Sequence, residues 1–139
     1  MVKIDYKSAG VDIDAGNDTV EKIKNDVKST FSKNVLTGLG SFGSLYDLKP
    51  LFEQYKNPVL VQSIDGVGTK TIIARKLKKF DTIGIDLLSA CANDILVMGA
   101  TPITFLDYIA NDKLFPEIVK EIVSGMVKAC KETNVSLVG

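Results

Sequence analysis

Ser63-Ile64-Asp65-Gly66-Val67-Gly68-Thr69-Lys70 brings a carboxylate, two glycines, a hydroxyl and a lysine into one short stretch. The apolar run Val59-Leu60-Val61 before it reads as a buried strand, and Thr71-Ile72-Ile73-Ala74 after it reads as the start of a helix. At a strand-to-helix crossing the glycines let the backbone approach a ligand closely. The helix N-terminus and Lys70 favour phosphate, and Asp65 can hold a magnesium ion that masks phosphate charge. The same residues also suit a tight turn with a solvated Asp and Lys, because short Gly/Asp turns are common.

A second group of polar residues interrupts a long apolar stretch. The spacing predicts a helix over about Thr82 to Met98, apolar on nearly all sides and therefore central and well buried. At helical spacing Asp86, Ser89, Asn93 and Asp94 share an arc roughly 140° wide. Two buried carboxylates on one helix are costly without a cation or strong hydrogen bonds, so this arc is the second place for a metal-phosphate site. An arc that caps a loop or faces a solvent crevice accounts for it equally. Asp107 lies among apolar neighbours as a third acid, for which a salt bridge to a local lysine is the commoner fate.

Gly38-Leu39-Gly40-Ser41-Phe42-Gly43 is formally a G-x-G-x-x-G motif. A dinucleotide fold requires a strand before it, a helix directly after it and an acid about twenty residues on, whereas Ser44–Leu48 reads at least as well as a strand by alternation and Pro50 interrupts soon after. A protein kinase would carry a Val-Ala-Ile-Lys lysine in the next strand, and Val59-Leu60-Val61-Gln62 has none. Gly38, Gly40 and Gly43 are left as a flexible loop able to fold over a ligand, or as a glycine-rich hairpin turn.

The elements that must position these groups follow from periodicity. Residues 1–17 are expected as an arm or loop and 18–139 as a single domain. Val20, Ile23, Val27 and Phe31 fall at helical spacing, with Asp18 and Glu21 resembling a capping box. Ser44–Leu48 and Val59–Ile64 read as strands, and Ile103–Ile109 alternates as one. Pro116 opens a helix whose stripe of Ile118, Val119, Ile122, Val123, Met126, Val127 and Cys130 belongs to the core. Val135–Val138 is a final strand. The order predicts an α/β (α+β) fold, with a mixed sheet of about four strands and helices on one face. The sheet's other face needs cover from a second domain or a second copy of the chain.

Composition narrows the function classes. The chain has 139 residues, 45% hydrophobic, enough for one domain with a sizeable core. Lysine plus arginine number 17 against 17 acids, so no basic face points to nucleic acid or an anionic membrane. With no histidine, a His-based triad or His-ligated zinc within this chain is excluded. Cys91 and Cys130 sit far apart in apolar helical patterns and read as reduced thiols of a cytoplasmic protein. Met1 to Lys7 shows no apolar signal core. Asp86, Asn93 and Asp94 argue against Ile83–Met98 as a membrane span.

Four stretches taken together resemble the phosphoribosylformylglycinamidine cyclo-ligase (aminoimidazole ribonucleotide synthetase) family. They are Tyr6 to Asn17 with its AGVDIDAGN run, Gly38 to Gly43, Asp65 to Lys70, and Gly84-Ile85-Asp86-Leu87 with Asn93-Asp94-Ile95 and Met98-Gly99-Ala100. The likeness continues through Phe105-Leu106-Asp107-Tyr108 and Ser136-Leu137-Val138-Gly139. It implies the N-terminal ATP-binding domain of an enzyme of purine biosynthesis. That enzyme uses ATP and Mg2+ to close the imidazole ring of formylglycinamidine ribonucleotide, and its domain pairs in a homodimer through its sheet. It also implies that Asp65 and Asp94 are the magnesium-phosphate ligands and that Gly66, Gly68, Thr69 and Lys70 line the phosphates. The Gly38–Gly43 loop would cover them and Lys24 would lie near the nucleotide, with Asn93, Asp86 and Asp107 as lesser candidates. No residue stands out as a proton-transfer catalyst.

In the family, Leu-Val-Gly runs on into a further glycine, a Glu-Thr-Ala-Glu segment and a C-terminal domain. The expectation is therefore a domain fragment, inactive alone. A thiamine-monophosphate kinase or selenophosphate synthetase is the alternative within the superfamily, and a non-catalytic dimerisation module the alternative outside enzymes. The AGVDIDAGN run and the lack of a reactive cysteine near the N-terminal loops disfavour the first. Asp65, Lys70 and Asp94 occurring together argue against the second.

Overall fold

A computed structural model describes residues 5–139. Helix α5 (Pro116–Thr133) is the element the others pack against. Its apolar residues recur every three or four positions, so Val119, Val123, Met126, Val127 and Cys130 are all buried on one side. Pro116 stands in its first turn, where a missing N–H costs nothing. Asn134 ends it in the left-handed conformation, φ 56°.

Helices α1 (Ile13–Lys28) and α4 (Asp81–Leu96) both pack on α5. Between α4 and α5 the backbones touch. A Cβ on Gly125 would stand 1.8 Å from the Asp81 carbonyl oxygen, and one on Gly84 2.2 Å from that of Ile122. Only hydrogen fits at either position. Strands β1 (Thr104–Phe105) and β2 (Ser136–Leu137) are parallel, with Thr104 opposite Ser136 and Phe105 opposite Leu137. Helix α5 is the crossover that connects them. Ser136 is buried, and its Oγ accepts from Ser32 N at 3.0 Å and donates to Thr30 O at 3.2 Å. This fastens the exit of α1 to β2.

Several expectations are corrected. The first helix begins at Ile13, before the Asp18–Glu21 pair, because Asp12 caps it: Oδ1 accepts from Ala15 N at 3.1 Å. The expected arm over residues 1–17 lies partly outside the described residues, and its part from Ile13 is helical. Within Asp5–Val11 the chain turns back on itself, with Val11 N donating to Tyr6 O at 2.8 Å. Pro50 opens a short helix, α2 (Lys49–Gln54), instead of merely ending a strand.

The sheet of about four strands is not formed among the described residues. Ser44–Leu48 contributes one isolated antiparallel bridge, Val35 to Tyr46. Val59–Ile64 makes no ladder bond, and its Val59, Leu60 and Ile64 are exposed. A strand is defined by a partner, and this segment has none among the described residues. Helix α4 is buried on one side only, through Ile83, Gly84, Leu88 and Ala92. Ser89, Asn93 and Asp94 are exposed and Asp86 is half-buried, so the expected cost of burying two carboxylates does not arise. Among the described residues no helix is long and apolar enough to cross a membrane.

Candidate functional site

Helix α3 (Lys70–Leu77) begins where the glycine turn ends. Gly68 has φ +58°, a conformation strained for residues with a side chain, and it turns the chain into the helix. Thr69 stands at the cap position without a side-chain cap bond. The backbone N–H groups of Val67, Gly68, Thr69 and Lys70 have no backbone acceptor among the described residues. Unpaired donors at a helix start, with a lysine on the first turn, are an anion-binding arrangement.

The turn is laid along α4 by three side-chain contacts. Ser63 Oγ donates to Asp94 Oδ2 at 2.8 Å. Cys91 Sγ lies 3.8 Å from the Asp65 carbonyl oxygen as a weak donor. Lys70 Nζ and Asp86 Oδ2 are 3.2 Å apart. As the residue number rises along the turn, its partner's number falls along α4, so the two run antiparallel. Asp86 and Asp94, eight residues apart, sit on one side of the helix about 12 Å from each other along its axis. Two members of the arc expected from spacing, Asp86 and Asp94, thus contact this segment directly, through Lys70 and Ser63.

Each of the two acids expected to ligate metal has one oxygen engaged. Asp65 Oδ1 accepts from Gly66 N at 2.7 Å, and Asp94 Oδ2 accepts from Ser63. The second oxygen of each has no protein partner among the described residues, and both side chains are exposed. Asn93 is exposed beside Asp94. Among the described residues no group of three or more His, Cys, Asp or Glu could hold a metal ion. Each free carboxylate oxygen is a hard donor of the kind magnesium takes, and two such oxygens do not make an all-protein cage.

No hydrogen bond or ion pair joins the remaining expected residues to this turn among the described residues. Gly38, Gly40 and Gly43 are in the exposed loop closed by Leu36 N to Leu45 O at 2.8 Å and Asp47 N to Asn34 O at 2.8 Å. That loop is a glycine-rich hairpin connection. Lys24 pairs with Glu21 on the exposed side of α1, a helix packed on α5, and no contact joins it to the turn among the described residues. Asp107 has no salt bridge among the described residues. Burial pushes its carboxyl above the usual carboxylate value, opposed in part by the Tyr108 backbone N–H. Cys130 is fully buried, and burial pushes its thiol up to about 12.

Ser63 belongs to the turn read from sequence, but its tie to Asp94 was not foreseen. Nothing in linear spacing joins positions 31 residues apart. The Lys70–Asp86 pair was missed for the same reason.

Beside the turn lies a trough of about 1800 Å³, walled by the 58–67 segment, α4, α5 and the chain after β1. It is larger than an ordinary ligand pocket. Val59, Leu60, Leu106 and Tyr108 on its rim are 83%, 71%, 65% and 89% exposed, so its rim is open apolar surface.

Comparison with known proteins bears on the same stretch. A phosphoribosylformylglycinamidine cyclo-ligase of Leptospira interrogans serovar Lai is 53% identical over 137 residues, which are 99% of this chain and 40% of the relative. The protein of that name from Carboxydothermus hydrogenoformans is 52% identical over 139 residues, 100% of this chain and 40% of its own length. The one from Staphylococcus carnosus is 52% identical over 134 residues, 96% and 38% respectively. The chain therefore spans about 40% of the length of the curated relatives it matches. The family model described as AIR synthase related protein, N-terminal domain, matches residues 51–139, which take in the glycine turn, α3, α4 and α5. With more than half of its residues inside that match, the chain belongs to the AIR synthase related protein family, as its N-terminal domain.

Proposed function

We propose that this chain supplies the ATP-phosphate and magnesium site of an ATP-dependent cyclo-ligase, which converts formylglycinamidine ribonucleotide to aminoimidazole ribonucleotide in purine biosynthesis. The observation that carries the reading is the Ser63–Asp94 hydrogen bond, which holds the glycine turn and the carboxylate of α4 at one place. The cyclo-ligase name of the relatives supports the reaction class.

In this reading Asp65 and Asp94 hold Mg2+ through the oxygens left without protein partners. The N–H groups of Val67 to Lys70 bind phosphate oxygens. Lys70 is held by Asp86 at the edge of the turn and reaches the phosphates as a point charge. The exposed Gly38–Gly43 loop covers the phosphates, with Asn93 and Lys24 as outer polar contacts. Bound Mg-ATP would supply the phosphoryl group that makes the formyl oxygen a leaving group, with ADP released, and the internal nitrogen that attacks the formyl carbon would then displace that oxygen as inorganic phosphate while the ring closes. The chain's own share is to position and neutralise, the main demands of phosphoryl transfer. No side chain is assigned a proton-transfer step.

Two companion features belong to the same reading. A second copy of the chain covers the apolar trough, giving a cytoplasmic homodimer, and the chain by itself does not complete the ring closure. The test is thermal unfolding with Mg-ATP. A ligand present at about 100 times its dissociation constant adds roughly 2.7 kcal/mol of stability. That gain is expected for the wild-type chain and is expected to shrink in Asp65→Asn and in Asp94→Asn, with unfolding of the free chain unchanged in each. Equal gains in all three proteins would remove the metal assignment.

A further inference from the structure

Asp94 is reached by one side chain only among the described residues, the hydroxyl of Ser63. Both residues are exposed, so this bond does little for the core. Its effect is local: it fixes one oxygen of a carboxylate on α4 and directs the other away from Ser63. Two neighbouring contacts fix the register in which it forms, Cys91 Sγ to the Asp65 carbonyl at 3.8 Å and Lys70 to Asp86 at 3.2 Å. The turn and the helix are thereby held antiparallel with Ser63, and no other hydroxyl of the turn, opposite Asp94.

From this arrangement we infer that Ser63 is a positioning residue, acting through Asp94 to set the carboxylate oxygen that takes a divalent cation. The inference rests on the proposed function and deepens it, since it assigns a role to a residue that itself touches neither metal nor phosphate. A carboxylate with one oxygen tied by a hydroxyl has lost a rotational freedom that an untied one must give up on binding. Partners of this outer kind commonly affect metal affinity ten- to a hundredfold, and the exposure of this one places it at the low end.

The experiment measures the Mg2+ concentration that half-saturates binding of a fluorescent ATP analogue to the 139-residue chain. It uses wild type, Ser63→Ala, Ser63→Thr and Asp94→Asn. Ser63→Ala is expected to raise the Mg2+ requirement about tenfold, while binding of the analogue in EDTA and the unfolding temperature of the free chain stay as in wild type. Ser63→Thr, which keeps the hydroxyl, is expected to restore the wild-type requirement. If Asp94→Asn raises the requirement and Ser63→Ala does not, the role of Ser63 is overturned and the metal reading stands. Equal shifts in Ser63→Ala and Ser63→Thr show a steric effect and also overturn it. An unchanged requirement in Asp94→Asn, or no analogue binding by wild type, overturns both the metal reading and the role built on it.

Discussion

Asp107 is the acid whose surroundings act on it most clearly. It follows β1 with its carboxyl half-buried, and desolvation disfavours the charged form. Its ordinary value is 3.8 and the folded value is higher. Between the two, the folded chain keeps a proton that the unfolded chain has released, so stability falls as pH rises through that window. By neutral pH the full penalty of the buried charge is present. Asp107→Asn, which stays neutral, is therefore expected to unfold at a higher temperature than wild type at pH 7 and at the same temperature in acid where Asp107 is protonated. Unfolding temperatures measured from acid to neutral check this, and parallel curves for the two proteins would contradict it.

Among the elements, the contact between α4 and α5 has the least tolerance. At Gly125 a methyl group would fall 1.8 Å from a carbonyl oxygen, and relief requires the helices to separate. Gly125→Ala is expected to cost about 3 kcal/mol, the upper part of the usual range for overpacking, read as a lowered urea midpoint with the slope unchanged. Helices α1, α3, α4 and α5 were legible in the sequence because each carries its own evidence, while the short α2 was not. In α5 that is an apolar stripe and an opening proline. The start of α1 was misplaced because Asp12 and Asp18 are both plausible caps, and only the bond from Ala15 N distinguishes them. The strands were poorly legible for a different reason. The apolar run Val59-Leu60-Val61 states a preference, while a ladder needs a second backbone that the segment does not meet among the described residues. The site followed the same rule. Its residue types and the arc on α4 could be read, but the pairings of Ser63 with Asp94 and Lys70 with Asp86 arise only from tertiary packing.

For the molecule as a whole, the open trough is the dominant fact. Val59, Leu60, Leu106 and Tyr108 leave an exposed apolar rim, of the kind that marks interaction surfaces. The proposed cover is a second copy, so the chain is expected to sediment as a dimer, and Leu60→Asp is expected to yield monomers. A wild-type chain that sediments as a monomer at every concentration tested would contradict the dimer. It would leave the turn on α4 untouched, because that geometry lies within one chain.

The central claim is that a divalent ion bound with nucleotide sits between the glycine turn and α4. Mn2+, a paramagnetic stand-in for Mg2+, tests it through the broadening of backbone amide resonances when added with ATP below stoichiometry. The amides of Asp65 to Lys70 and of Asn93 and Asp94 are expected to broaden first, and both groups to lose this response in Asp94→Asn. Broadening confined to one of the two groups, or centred on another part of the chain, would contradict it.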